Sequence, residues 1–307
     1  MVTTEPSGPS DRRAPSCRDL ARHRISCDAL PDSARSGQAD PHVEVQVRIT
    51  SVINQKGGVG KTALSVGLAG ALAEAGQRVL LVDLDPQGHA TAEALQLPEA
   101  SGQATLAGAL SREYTGPTSA LAVRHWIHES GGSIDVWPNS QAMFLVSRQL
   151  DLGRSRELQV RRLLADVDGT YDHVVLDCPP ALDALTDNAL AATDGILIPL
   201  LLDPSMLRAL KLLMDQIESL EAQVERKRPI EVHGLVPSAY RRPLSNLATR
   251  TQADLKRLGV PMLAHLPLAV VVPEAWHAGV PLTAHAPDHE HSTALRSIAA
   301  LLMEASA

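Results

Sequence analysis

Apolar and polar positions alternate through Val45-Gln-Val-Arg-Ile-Thr-Ser-Val-Ile53, and β-branched residues dominate the run, which predicts a strand. Ala63 to Ala75 is rich in Ala and Leu and stops at Gly76, as a helix does. Two solid apolar runs, Gln77–Asp83 and Tyr171–Asp177, each end in an acid and predict strands buried on both faces. Ser133–Pro138, Gly195–Leu201, Ile230–Val236 and Met262–Leu266 read as further strands. Helical stretches are expected over Ala100–Ser111, Ser140–Asp166, Leu182–Ala192, Ser205–Glu225, Ser245–Leu258 and Ser292–Glu304. Glu113–Gly132 reads as a polar loop. Strands alternating with helices predict an α/β fold, a mostly parallel twisted sheet covered by helices on both faces.

The chemistry begins between the first strand and the first helix. Asn54-Gln-Lys-Gly-Gly-Val-Gly-Lys-Thr62 keeps the second half of a phosphate-binding loop as Gly60-Lys61-Thr62. The first glycine of the ordinary pattern would fall at residue 55, where this chain has Gln55. An extra lysine, Lys56, precedes Gly57 and Gly58. The chain holds only five lysines against 23 arginines, and two of the five lie in this loop. Glycine lets backbone N–H groups approach phosphate oxygens. Gly57, Gly58, Val59, Gly60, Lys61, Thr62 and Ala63 are therefore the expected nucleotide cradle. Lys61 would set its charge on the β and γ phosphates, and the Thr62 hydroxyl would ligate Mg²⁺. The pattern thus defines a P-loop NTPase.

Val82-Asp-Leu-Asp-Pro-Gln-Gly88 carries two acids two residues apart at a strand end, so both can point to one side. Hydrolysis needs an acceptor that orients the attacking water, and carboxylates around the metal. Asp85 is the candidate for the first role and joins the metal set; Asp83 supports it. Asp177-Cys-Pro-Pro180 follows an apolar strand core, the position from which an acid reaches Mg²⁺ through water. Ligands on such sheets sit at the carboxyl ends of strands, and all three segments fall there. Cys178 has no indicated histidine partner and reads as a small buried residue. His285, His289 and His291 lie in a Pro- and Asp-bearing stretch and read as a solvated loop.

Composition narrows the class. The chain has 307 residues, 44% hydrophobic composition and a net charge of −7, which is not the footprint of a protein held to nucleic acid by bulk charge. No apolar run is long enough to predict a membrane span. Residues 1–44 lack an apolar core and mix Pro, Ser, Asp and Arg, so a disordered arm is expected there rather than a signal peptide. Three cysteines, two of them in that arm, fit a reducing cytoplasm.

Together, Lys56–Thr62, Val82–Gly88 and Asp177–Pro180 closely resemble the ParA/Soj chromosome and plasmid partition ATPases, members of the deviant-Walker-A class that includes MinD. The resemblance covers about residues 45–305 and implies one ATPase domain over residues 45–307. It implies ATP and Mg²⁺ as cofactors and an ATP-dependent homodimer in which Lys56 reaches the partner's phosphates. It also implies an adenine wall at Pro267, non-specific DNA binding, a ParB-like centromere-binding partner that stimulates slow hydrolysis, and a cytoplasmic, nucleoid-associated protein. Three departures stand out. Lys61-Thr62-Ala63 replaces Lys-Thr-Thr, and Asp203-Pro204 replaces Glu-Tyr. Leu266-Pro-Leu-Ala-Val-Val-Val272 lacks the two arginines with which this family contacts DNA. Arg242, Arg241 beside it, and Arg250 and Arg257 on one helix face are the remaining DNA-binding candidates. The alternative is a related positioning ATPase that acts on a protein scaffold. A MinD-like membrane cycle would need a basic amphipathic C-terminal helix, whereas the chain ends Leu301-Leu-Met-Glu-Ala-Ser-Ala307. An iron–sulfur reductase would need more body cysteines than Cys178, and a tyrosine kinase of this class would need a C-terminal tyrosine cluster.

Overall fold

A computed structural model describes residues 47–151 and 156–304. The expected arm over residues 1–44 lies outside the described residues. The sheet has seven strands: β1 (Arg48–Val52), β2 (Arg78–Asp83), β3 (Val123–Ile127), β4 (Ser133–Trp137), β5 (His173–Asp177), β6 (Gly195–Leu200) and β7 (Glu231–Pro237). Their order is β3-β4-β2-β5-β1-β6-β7. Every pairing is parallel except β3 with β4.

The predicted buried strands are buried because helices cover both sheet faces. Along β2, Leu80 and Val82 join one apolar cluster, and Val79 and Leu81 join the other, as the two-residue strand period requires. The first cluster is completed by α2 (Leu106–Leu110), α3 (Met143–Asp151), α4 (Gln159–Ala165), α5 (Ala184–Ala192), α6 (Ser205–Gln223) and α7 (Asn246–Arg257). The second lies under α1 (Lys61–Glu74), α8 (Val271–Ala278), α9 (Leu282–His285) and α10 (Glu290–Glu304). Helix α1 is sandwiched between the sheet and α10, and is buried over most of its length. Gly67 makes this possible: a Cβ there would stand 2.6 Å from Leu295 Cδ1.

The structure corrects several expectations. The polar loop 113–132 contains the antiparallel edge strand β3, which the pattern hid because its residues are mostly exposed or half-buried. The single helix over 140–166 is two helices, α3 and α4. Met262–Leu266 is not a strand; it makes only isolated bridges, Leu235 to Met262 and Ser238 to Leu266. Pro261 and Pro267 bracket it, and proline cannot donate to a ladder. A π-helical turn, His89–Ala94, and helix α8 were not anticipated. The expected histidine loop is partly helical, since His285 ends α9 and His291 is buried in the first turn of α10.

Candidate functional site

The loop after β1 is held by one bond within itself and by two to other segments. Asn54 donates from Nδ2 to Pro199 O at 2.7 Å, and its Oδ1 accepts Lys56 N at 2.9 Å. Ser238, just past β7, donates from Oγ to Val59 O at 2.6 Å. Gly58 and Gly60 sit at φ of 69° and 82°, where a side chain would be strained. A Cβ on Gly57 or Gly58 would meet nothing within 4 Å, so the loop is open on the side where phosphates would lie. Val59 is buried and does not line the cleft.

Helix α1 carries the next residues into the cleft. The Thr62 hydroxyl donates to Asp177 Oδ2 at 2.8 Å, and the Ser65 hydroxyl to Asp177 Oδ1 at 2.9 Å. The Asp177 carboxylate is fully buried at the end of β5. Burial pushes its pKa up, while the hydroxyls of Thr62 and Ser65 and the nearby Lys61 ammonium oppose that rise. Lys61 is itself buried, and desolvation lowers its pKa against the pull of Asp177 and Asp85. Its Nζ turns back to Lys56 O at 3.4 Å.

Asp85 is buried at the cleft wall, with Oδ1 accepting Gln87 N at 3.0 Å. A cleft of about 460 Å³ is lined by Gly57, Gly58, Gly60, Lys61, Thr62 and Ala63, with Asp85 opposite and Pro267 along an apolar wall with Leu266 and Trp276. The sequence therefore places Lys61, Thr62, Ala63, Asp85 and Pro267 on one cavity, and Asp177 directly behind Thr62.

Asp83 is different. It is fully buried and does not line the cleft. Its Oδ2 accepts both Thr91 N at 2.9 Å and Thr91 Oγ1 at 2.6 Å. Lys56 does not line the cleft either; it is about a third exposed and held in an ion pair with Asp203. Its Nζ also reaches Ser205 Oγ at 3.2 Å. Cys178 is buried, and burial pushes its thiol up, in keeping with a structural residue.

The four arginines do not form one cluster of free charge. Arg242 Nη1 donates to both carboxylate oxygens of Glu290 at 3.0 Å, and Arg257 is paired with Asp254 at 2.6 Å. Arg241 and Arg250 are exposed and carry no ion pair among the described residues. Arg250 and Arg257 lie on α7 away from its buried stripe of Ala248, Thr251 and Leu255.

Sequence reasoning missed Ser65, Thr91, Asn139, Ser238 and His291. His291 Nε2 lies 2.8 Å from Pro267 O and lines the cleft, so it holds the expected adenine wall. No local pattern announces these residues: Ser65, Asn139, Ser238 and His291 find partners 24 or more residues away, and Thr91 turns back on Asp83 across eight.

Donor hydroxyl, buried carboxylate, lysine and open glycine loop together suit a Mg-nucleoside triphosphate, and they define a P-loop NTPase. A family model described as AAA domain matches residues 47–230. The chromosome partitioning protein ParA of Caulobacter vibrioides (strain NA1000 / CB15N) is 32% identical over 212 residues, covering 68% of this chain and 76% of that protein. The sporulation initiation inhibitor protein Soj of Bacillus subtilis (strain 168) is 34% identical over 186 residues, covering 60% and 70%. The crystal structure of cobyrinic acid a,c-diamide synthase from Mycobacterium smegmatis, with bound ATP analog and magnesium, is 28% identical with a TM-score of 0.67, covering 84% of this chain and 95% of that one. The chain belongs to the ParA/Soj family of positioning ATPases.

Proposed function

We propose that this protein is a DNA-segregation ATPase that works as an ATP-dependent dimer. The observation that carries the reading is the convergence of Lys61, Thr62, Asp85 and Asp177 around one open glycine loop, with a second lysine just before its first glycine. Bound ATP supplies the phosphoryl group and Mg²⁺ offsets its charge. Lys61 neutralises the β and γ phosphates, Thr62 and Asp177 hold the metal and its waters, and Asp85 orients the attacking water. Pro267 flanks the base. Lys56 leaves Asp203 and reaches the phosphates of the second copy. The closed dimer binds DNA without sequence preference through Arg241, Arg242, Arg250 and Arg257. A ParB-like centromere-binding partner stimulates slow hydrolysis and releases it. The cytoplasmic nucleoid is the setting this reading requires. Among the described residues no helix is long and apolar enough to cross a membrane.

A second reading has its own support. Leu268 and Val270 are 63% and 77% exposed in the segment that lacks arginines, and Arg242 and Arg257 are already paired with acids. Both favour a positioning ATPase whose track is a protein scaffold. The deciding experiment is a salt titration of ATP-loaded Asp85→Ala protein on unrelated DNA duplexes. Salt-sensitive binding to all of them supports the DNA track; no binding at low salt moves the function to the scaffold.

A further inference from the structure

We propose that Asn139 is a positioning residue for Asp85, linking it to the buried Asp83 through Thr91. The proposal rests on the reading of Asp85 as the group that orients the attacking water. Asn139 follows β4 and is buried. Its Nδ2 donates to Asp85 O at 2.6 Å and to Asp83 O at 3.3 Å. Two carbonyl acceptors on one side fix which end of the side chain is the amide nitrogen. Its backbone N donates to Thr91 Oγ1 at 2.8 Å, and the same hydroxyl donates to Asp83 Oδ2. One chain of hydrogen bonds therefore runs from Asp83 through Thr91 and Asn139 to the backbone of Asp85.

The turn that carries Asp85 is short and closed on itself. Gly88 N donates to Asp85 O at 2.8 Å, and Gln87 N donates to Asp85 Oδ1. The turn needs an anchor outside itself to hold a fixed place over the loop. Leu84 N supplies one, on Asp177 O at 3.0 Å. Asn139 supplies the other, from a different strand and at the residue whose carboxylate faces the cleft. Gly88 sits beside the Asn139 side chain at a φ of 67°, a backbone conformation that glycine adopts without strain. This arrangement gives Asp83 a role that does not require it to reach the nucleotide. It holds the π-helical turn, and that turn holds the clamp on Asp85.

The test begins with the nucleotide-free protein. In Asn139→Ala, hydrogen exchange at the Gln87 and Gly88 amides should accelerate by roughly tenfold or more, while exchange in α1 stays unchanged. Affinity for a non-hydrolysable ATP analogue should change by less than about threefold. The single-turnover rate should fall by roughly tenfold to a hundredfold, as a small misplacement of a catalytic group does. In an Asp85→Ala background, Asn139→Ala should lower the rate no further. A turnover rate per folded molecule that stays unchanged overturns the proposal, as does a loss that multiplies with that of Asp85→Ala. Normal turnover by Asp85→Ala alone would remove the water-orienting reading, while the exchange data would still report whether Asn139 holds the turn. Thr91→Val breaks the same chain with little change of shape, and guards against an Asn139→Ala protein that does not fold. It should reproduce the faster exchange at Gln87 and Gly88, and unchanged exchange there overturns the proposal.

Discussion

Asp83 and Asp177 stand opposite one another as register partners on the parallel strands β2 and β5, and both are fully buried. Two carboxylates so placed cannot both ionise cheaply. Their surroundings separate them. Asp177 has the hydroxyls of Thr62 and Ser65 and the charge of Lys61 to hold its anion. Among the described residues Asp83 has only Thr91, and burial together with the charge of Asp177 pushes its pKa up to about 8.

The first prediction follows for the nucleotide-free protein. Below the usual carboxylate range Asp83 is protonated whether the chain is folded or not. As pH rises, the unfolded chain releases this proton before the folded one does, so stability falls up to the folded value near 8. Asp83→Asn removes the titration. Urea unfolding between about pH 5 and pH 8 should show a flatter stability profile for the variant. A profile parallel to that of the unsubstituted protein would mean that Asp83 does not hold the proton.

The second prediction concerns Lys56. Its ion pair with Asp203, also touched by Ser205, must break before the lysine can reach another subunit. Lys56→Ala should bind ATP but fail to dimerise with it, as read by light scattering. Asp203→Ala should dimerise at lower ATP concentration than the unsubstituted chain, because a partly exposed pair of this kind holds the lysine by about 1 kcal/mol or less. Normal ATP-dependent dimerisation by Lys56→Ala would remove the cross-subunit role.

That the glycine loop and the strand-end acids would meet at one cleft was readable from sequence because the parts of the loop are contiguous. Gly57 to Thr62 are neighbours in the chain, and Asp85 and Asp177 end strands whose apolar runs are plain. Asn139, Thr91 and His291 were not readable, because side-chain bonds across 24 to 56 residues leave no local pattern. Asp83 misled for a related reason. The two-residue spacing puts it on the same side as Asp85, but the π-helical turn at His89–Ala94 folds over it and takes its carboxylate. Strand β3 escaped notice because edge strands need not alternate strictly, and α8 because Pro273 lies within it.

The third prediction tests the base wall. His291 is buried, burial lowers its pKa, and its Nε2 is set against Pro267 O. His291→Leu keeps most of the volume and leaves that carbonyl without its partner. A lost hydrogen bond of this kind costs about 1 kcal/mol. ATP affinity, measured by calorimetry, should weaken by roughly fivefold, with single-turnover rate at saturating ATP little changed. A large fall in rate with unchanged affinity would place His291 in the chemistry instead of the binding wall.

The fourth prediction separates the arginines. Arg242 and Arg257 already spend their charge on Glu290 and Asp254, whereas Arg241 and Arg250 are exposed with no ion pair among the described residues. A phosphate can be neutralised by a free guanidinium without first displacing an acid. Each phosphate contact contributes about one unit to the slope of log K against log salt. Arg241→Ala/Arg250→Ala should therefore flatten the slope of the ATP-loaded Asp85→Ala protein by about two per chain, equally on unrelated duplexes. Arg242→Ala/Arg257→Ala should flatten it less, because each of those guanidiniums must first give up an acid before it can neutralise a phosphate. The measurement is filter binding or fluorescence anisotropy across a salt series. Equal slopes for all three proteins, with binding retained, would place the DNA contact on another surface.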